Sequence, residues 1–473
     1  MLTPVPKKDL PDRADSLARS LGLVKYQDVL YVPVDYETLL PDPGLAPARR
    51  VWVPLPPAQL VHLANTMQGL LLESEAAVRS YTLMIRQIAE EQQASDDRIL
   101  IQTDQGLREL HSDGKLHDLQ PDFCPHYIRV PLNNDPEMKT ELFNQFVDWL
   151  GSEEDATSLL HHFATALAPS WPAVRYVLLI GEGRNGKSLI MKMLVDLFGS
   201  FNVSHVTRQQ MSAKAPECHD LTNRLLNVVF DGEATYLKDS GMEKTLTAGD
   251  VAQIRRLYET YPSPVQTNGL FIEGLNREPK TSDKSSALQK RMVRFALNNV
   301  YDLDHMFEQH MRSDLMLGAL LALLIDHYVK ADEVVEKLRP PRTSHELKLE
   351  HARVNNLAIQ FLEYIEHTDK EGANSLLKLD SVELGKKFIS WRLLEGDMNW
   401  NVPDAETLLR PLFQTVRKSK RIDEKIVKIR MITGFKPEAL EFLDYMREEE
   451  TGYDGTLVDD GAVLGIESAS TDQ

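Results

Sequence analysis

The chain has 473 residues, 42% of them hydrophobic and 26% charged, a composition that excludes a low-complexity or disordered polymer and suits about two to four globular domains. With 53 basic and 71 acidic residues the formal charge is −18, which excludes a generally basic surface while leaving room for a local basic stripe or channel. The two cysteines, Cys124 and Cys218, lie far apart and in no Cys/His array, so neither a disulfide scaffold nor a zinc motif is expected, and a reduced, cytoplasmic setting suits the chain.

The N-terminus, MLTPVPKKDLPDRADS, lacks the apolar stretch of a signal peptide. Residues 41–57 are Pro-rich and must be loop or edge structure, because proline cannot donate to a strand ladder. Leu60 to Gln93 has helical spacing. Residues 1–95 are therefore read as one region, without an assigned role. In residues 96–171 the short alternating runs RILIQT, GLREL, GKLHDL and YIRVPL predict strands separated by Asp/Gly turns, and helices follow over 140–150 and 156–168.

Residues 172–300 carry the clearest chemistry. Four apolar strand candidates, 176–180, 225–230, 269–275 and 292–297, are separated by helical stretches, which predicts a parallel sheet covered on both faces. The first leads into GEGRNGKS (Gly181–Ser188), matching G-x-x-x-x-G-K-[ST], the phosphate-binding loop between a strand and a helix. Gly181, Gly183, Arg184, Asn185 and Gly186 would present backbone amides to phosphate oxygens. Lys187 would reach the β- and γ-phosphates, and the Ser188 hydroxyl would ligate Mg²⁺. Taken alone, the loop implies ATP or a related triphosphate. The next apolar strand ends in Asp231-Gly232-Glu233. With this strand beside the phosphate loop, Asp231 is assigned to the metal and Glu233 to the attacking water. Asn276 ends the third apolar strand, where an amide can sense the γ-phosphate. Lys290, Arg291 and Arg294 stand at the fourth.

Residues 301–354 read as a helical extension whose longest apolar run, 315–325, is too short to span a bilayer, so no membrane partner is expected. In 355–446, helices near 381–395 and 404–417 followed by an alternating run over 421–434 fit a winged-helix-like module with a basic face, in which Arg417, Lys418 and Lys420 are DNA-binding candidates. A solvated face of an ordinary small domain is the bland alternative. Residues 447–473 hold eight acidic residues and one basic, and read as a disordered acidic tail.

The ordered set GEGRNGKS, an acidic strand end, K-x-L-T-x-G-D-x(5)-R-x-L-Y (244–258), a strand ending in Asn276 and x-K-R-x-x-x-F resembles the superfamily 3 helicases of phage and plasmid primase-helicases and poxvirus primase-helicase. The resemblance spans roughly residues 99–432. It implies an α/β, AAA+-type P-loop ATPase core with an N-terminal α/β helicase-associated region and a winged-helix-like C-terminal module. It also implies a hexameric ring that translocates on single-stranded and forked DNA. By position it makes Lys187 and Ser188 the nucleotide and metal contacts, Asp231 and Glu233 the second acidic motif, Asn276 the sensor and Arg291 the arginine acting across subunits, with Arg294 as fallback. Lys244, Arg255 and Arg256 fall in the segment leading to DNA-facing loops. Ala248-Gly249-Asp250 replaces the commoner Gly-Gly-Asp, and Lys290-Arg291 replaces an Arg-Arg pair. No primase domain is visible in the sequence, which implies a stand-alone helicase of phage or plasmid replication working with a separate primase. Two other readings remain open: a DNA-stimulated ATPase for initiation, loading or packaging that does not unwind, and a sequence-specific DNA-binding initiator.

Overall fold

In the computed structural model the described residues are 3–451, apart from 5–8, 28, 39, 42–43, 45, 47–48, 69, 72–74, 94–97, 121, 169–175, 233–240, 257–260, 277–290, 303, 339–346, 348, 350–352, 354–355, 396, 398–399 and 423–424. The chain forms two compact units, Met1–Lys348 and Leu349–Gln473.

The first unit begins with the helix Leu10–Leu21. It starts with proline in its first turn and stops at Gly22, whose φ of 61° is the left-handed value a helix terminus uses. Its buried stripe, Leu10, Ala14, Leu17, Ala18 and Leu21, packs with Tyr81 and Ile85 of the helix Glu75–Ile88. A four-stranded sheet lies with them, in the order 50–54, 29–35, 24–26, 90–91, so the Pro-rich stretch ends in an edge strand as its prolines require. The stretch expected as one helical segment, 60–93, is instead two helices, Pro57–Gln68 and Glu75–Ile88. They are separated by the short strand Leu70–Leu71, which pairs with Thr3–Pro4. Leu100, Leu107, Cys124 and Tyr127 share this core, so the first 95 residues and the following strands bury one another.

The strands expected over 98–132 form a second four-stranded sheet, in the order 127–128, 98–103, 106–111, 116–118. The helix Pro136–Leu150 is started by Asp135, whose carboxylate accepts from the Glu137 and Met138 amides. The helix Glu153–Ala164 is capped in the same way by Ser152. Both pack on one face of a five-stranded sheet in which every pairing is parallel, with the order 203–204, 226–229, 270–275, 176–180, 292–296. On that face Val177, Leu179, Val228, Ile272, Val293 and Phe295 meet Trp149, Phe163, Leu194 and the nearly all-buried helix Asp314–Asp326. Tyr176, Leu178, Phe271, Leu275 and Met292 form the other face. The fold is thus mixed α/β around a parallel sheet. Burial on both faces explains why its four longer strands read as continuous apolar runs.

This order corrects one expectation. The Asp231 strand is not beside Tyr176–Ile180, the strand that leads into GEGRNGKS, because Leu270–Leu275 hydrogen-bonds to both and separates them.

The second unit packs the helices Leu357–Thr368, Ser381–Leu394, Val402–Leu409 and Pro437–Thr451 around Phe361, Phe388, Trp391, Phe413, Phe435 and Phe442. The helix expected over 404–417 ends at Leu409. Residues 413–422 form a strand that pairs antiparallel with Lys425–Phe435 in a two-stranded ribbon. The expected tail is helical as far as Thr451, and residues 452–473 lie outside the described residues. Among the described residues no helix is long and apolar enough to cross a membrane.

Candidate nucleotide site

The carboxyl ends of parallel strands form the edge where open α/β sheets bind ligands. Here the register aligns three of the chemistry-bearing residues along that edge. Ile180 pairs with Leu275, which sets Gly181 beside Asn276. Val229 pairs with Glu273, and the Gly232 amide donates to the Gly274 carbonyl at 2.9 Å, which brings Asp231 to the far side of the same strand. Asp231, Asn276 and Ser188 are exposed, whereas Lys187 and Asn185 are buried.

The Gly181–Gly186 loop is shaped by contacts that its glycines permit. A Cβ on Gly181 would collide with the Asn185 amide and the Leu297 carbonyl. One on Gly186, where φ is 87°, would lie 2.8 Å from the indole of Trp149. Arg184 also takes a positive φ, 63°. The loop is held from the far side of the sheet edge. The Asn185 amide donates to the Leu297 carbonyl at 2.9 Å, and the Tyr301 amide donates to the Arg184 carbonyl at 2.8 Å. Tyr301 and Asn299 in turn donate to the Asp148 carbonyl next to Trp149. The helix Lys187–Phe198 follows directly, with Gly186 at its N-cap and no side chain capping its first amides. Such a terminus favours an anion through its partial positive charge.

The Lys187 ammonium donates to the Gly181 carbonyl and, at 3.0 Å, to Asn185 Oδ1. Burial pushes its pKa down, and the field of Asp231 acts in the opposite direction. Lys187 therefore stands as a largely desolvated cation within reach of Asp231's field, in a loop of backbone donors. These residues fit a triphosphate and its metal: the amides and Lys187 are donors of the kind phosphate oxygens accept, and the Ser188 hydroxyl and Asp231 carboxylate are hard oxygen donors of the kind Mg²⁺ prefers.

Other expected residues are placed differently. Glu233 lies outside the described residues, as do Lys290 and Tyr258. Arg291 is half-buried at the start of the last strand. Arg294, the fallback, is 1% exposed on the strand Met292–Ala296, enclosed within this chain. Lys244 is half-buried on the helix Gly241–Thr247. Arg255 is exposed at the end of a small antiparallel hairpin, Ala252–Arg255 with Pro262–Val265, and half-buried Arg256 follows it. Arg417 and Lys418 are exposed on the ribbon of the second unit, where Lys420 occupies a strand position.

Several residues beside the site have no motif of their own. Trp149 forms the floor of the loop. Glu273 lies directly under Gly232, where a Cβ would strike its carboxylate, and accepts from the Tyr176 hydroxyl at 3.0 Å. Arg208 forms a buried pair with Glu243 at 2.8 Å and lies 3.9 Å from Glu273. A charged residue inside an otherwise apolar strand, LFIEGL, is the one sequence signal that singles out Glu273.

No family model matches the chain, and no curated protein sequence does. Among solved structures, the chain is similar to the apo structure of the C-terminal region of NrS-1 (305–718), at 12% identity and a TM-score of 0.49, covering 90% of this chain and 100% of that one. The A-form apo structure of the same region gives 11% identity and a TM-score of 0.46, covering 88% of this chain and 97% of that one.

Proposed function

We propose that the chain is an ATP-driven motor on DNA, a ring-forming helicase that translocates on single strands and separates duplex during phage or plasmid replication. The observation that carries this reading is the alignment of the Gly181–Ser188 loop, Asn276 and Asp231 along one edge of a parallel sheet, with buried Lys187 in the field of Asp231. In this reading Lys187 and the loop amides hold the phosphates. Ser188 and Asp231 hold Mg²⁺, which when bound neutralises phosphate charge. Glu233 orients the water, and Asn276 senses the terminal phosphate. Arg291 serves a neighbouring chain's site. The strand Ala252–Arg255, paired with Pro262–Val265, follows the helix that carries Lys244 and leads into Arg256, and Tyr261 just before the second strand is 80% exposed, which suits contacts to a single strand's backbone and bases.

The test is hydrolysis and strand release together. Wild-type protein is expected to hydrolyse ATP faster with single-stranded DNA and to open a forked duplex, and Lys187→Ala is expected to lose both. Normal unwinding by that variant would sink the proposal. Hydrolysis on DNA with no strand release would establish instead the non-unwinding ATPase.

A further inference from the structure

The ribbon of the second unit, Phe413–Ile422 with Lys425–Phe435, is strongly basic. Within a protein of net charge −18, residues 413–435 contain seven cations and two acids. Its base is fastened. The rings of Phe413 and Phe435 lie 5.4 Å apart in the core, the Lys436 amide donates to the Leu412 carbonyl, and Met431 bridges to Asp380. Beyond that base the two strands pair only with each other among the described residues. Arg417 is directly opposite Arg430 in the register, so two like charges share one face of the ribbon. Directly opposed like charges destabilise a strand pair, and among the described residues neither arginine has a carboxylate partner. Lys418 and Val416, the latter 48% exposed, face solvent on the opposite side of the ribbon.

We propose that this ribbon is a sequence-independent clamp on the phosphates of duplex DNA. Ten paired residues extend about 33 Å, close to one turn of duplex, and a two-stranded ribbon fits a groove of B-DNA. Single-strand sites rely on aromatic platforms, and no aromatic residue occurs between Phe413 and Phe435. In sequence the acids, Asp423 and Glu424, fall between the two strands and the cations fall within them, a pattern that suits a polyanion lying along the ribbon rather than an anionic bilayer met end-on. The helix leading into the ribbon, Val402–Leu409, carries Asp404 and Glu406 and no cation, which disfavours its insertion between phosphates to read bases. The inference does not rest on the ATPase reading, since no nucleotide is involved.

The experiment is fluorescence anisotropy of the full chain without nucleotide. The probes are two 20-base-pair duplexes of unrelated sequence, a single strand of the same length, and vesicles of phosphatidylcholine with phosphatidylserine. The Arg417→Gln/Arg430→Gln variant removes two phosphate contacts. Its slope of log affinity against log salt on duplex should flatten by about 1.8, and its affinity should fall about tenfold, equally for both sequences. Its thermal midpoint should hold or rise, because the opposed charges are gone. Unchanged duplex binding would overturn the proposal. So would a larger loss on single strands or on vesicles than on duplex, or a wild-type preference above about tenfold for one duplex, which is the discrimination that base readout provides.

Discussion

Gly232 shows how closely one residue can be bound to the site. It separates Asp231 from Glu233, and a side chain there would meet the carboxylate of Glu273 and the methyl of Leu275. Glu273 is 2% exposed and is held by the Tyr176 hydroxyl, so it has little freedom to give way. Gly232→Ala is therefore expected to cost about 1–3 kcal/mol by overpacking and, on the function proposed above, to lower ATP hydrolysis because Asp231 moves with the strand end. Urea unfolding and a steady-state ATPase assay check both halves, and a variant as stable as wild type would refute the contact. In sequence, Gly232 reads as an interruption of an acidic pair. The reason for it lies on another strand, some forty positions away along the chain. Trp149 was illegible for the same reason: it touches Gly186 from a separate helix, and nothing in a helical pattern marks one apolar residue as the floor of a loop. The loop itself was legible because glycine, lysine and serine at fixed spacing each answer a local requirement.

Among elements, the helix Gly241–Thr247 lies between the acidic strand end and the hairpin, and a buried charge pair fastens it. Arg208 donates to Glu243 at 2.8 Å, and both side chains are under 4% exposed, with Glu273 3.9 Å from the same guanidinium. Arg208→Met leaves two buried carboxylates short of their cation and is expected to destabilise the first unit by about 3–5 kcal/mol. Adding Glu243→Leu should recover much of that loss, since the second change removes a carboxylate that was left buried. A double-mutant cycle in urea checks this, and additive losses would show that the pair is not coupled. At this scale the long, doubly buried strands were readable as apolar runs. The two-residue strand Val203–Ser204 was too short to register, and the order that inserts Leu270–Leu275 between its neighbours depends on pairing that no local pattern encodes. Residues 413–417 of the ribbon were read as the end of a helix, because 414–417 are all exposed and lack the apolar alternation that marks a half-buried strand.

For the whole molecule, the two units differ in how acid should act on them. His126, His161 and His162 all lie in the first unit, and burial pushes each from the ordinary 6.5 to about 4. For His161 the neighbouring His327 and Lys337 add to the effect. His162 shows the cause most directly: one ring nitrogen bonds the Ser158 carbonyl at 2.7 Å, the other is buried without an acceptor, and the ring packs edge-on against Phe295 of the central sheet. Between pH 6.5 and 4 the unfolded chain takes up protons that these folded sites refuse, so the stability they contribute is complete above 6.5 and is lost as pH falls toward 4. In the second unit the Lys387 ammonium beside Asp369 holds that carboxyl at about 2, so its contribution is present above the ordinary 3.8 and is lost only as pH falls toward 2. Acid is thus expected to loosen residues 1–348 before residues 349–451. Segment-resolved hydrogen exchange at pH 7, 5 and 3, corrected for the intrinsic rate at each pH, measures this directly. Protection around Phe163 and Phe295 should fall by pH 5, while that around Phe388 and Phe442 persists. His162→Gln offers a sharper form of the same test. It should lower stability at pH 7, where the packed neutral ring is lost, yet narrow the difference between pH 7 and pH 5. Equal loss of protection in both units at one pH would mean that the buried histidines do not govern the acid limb.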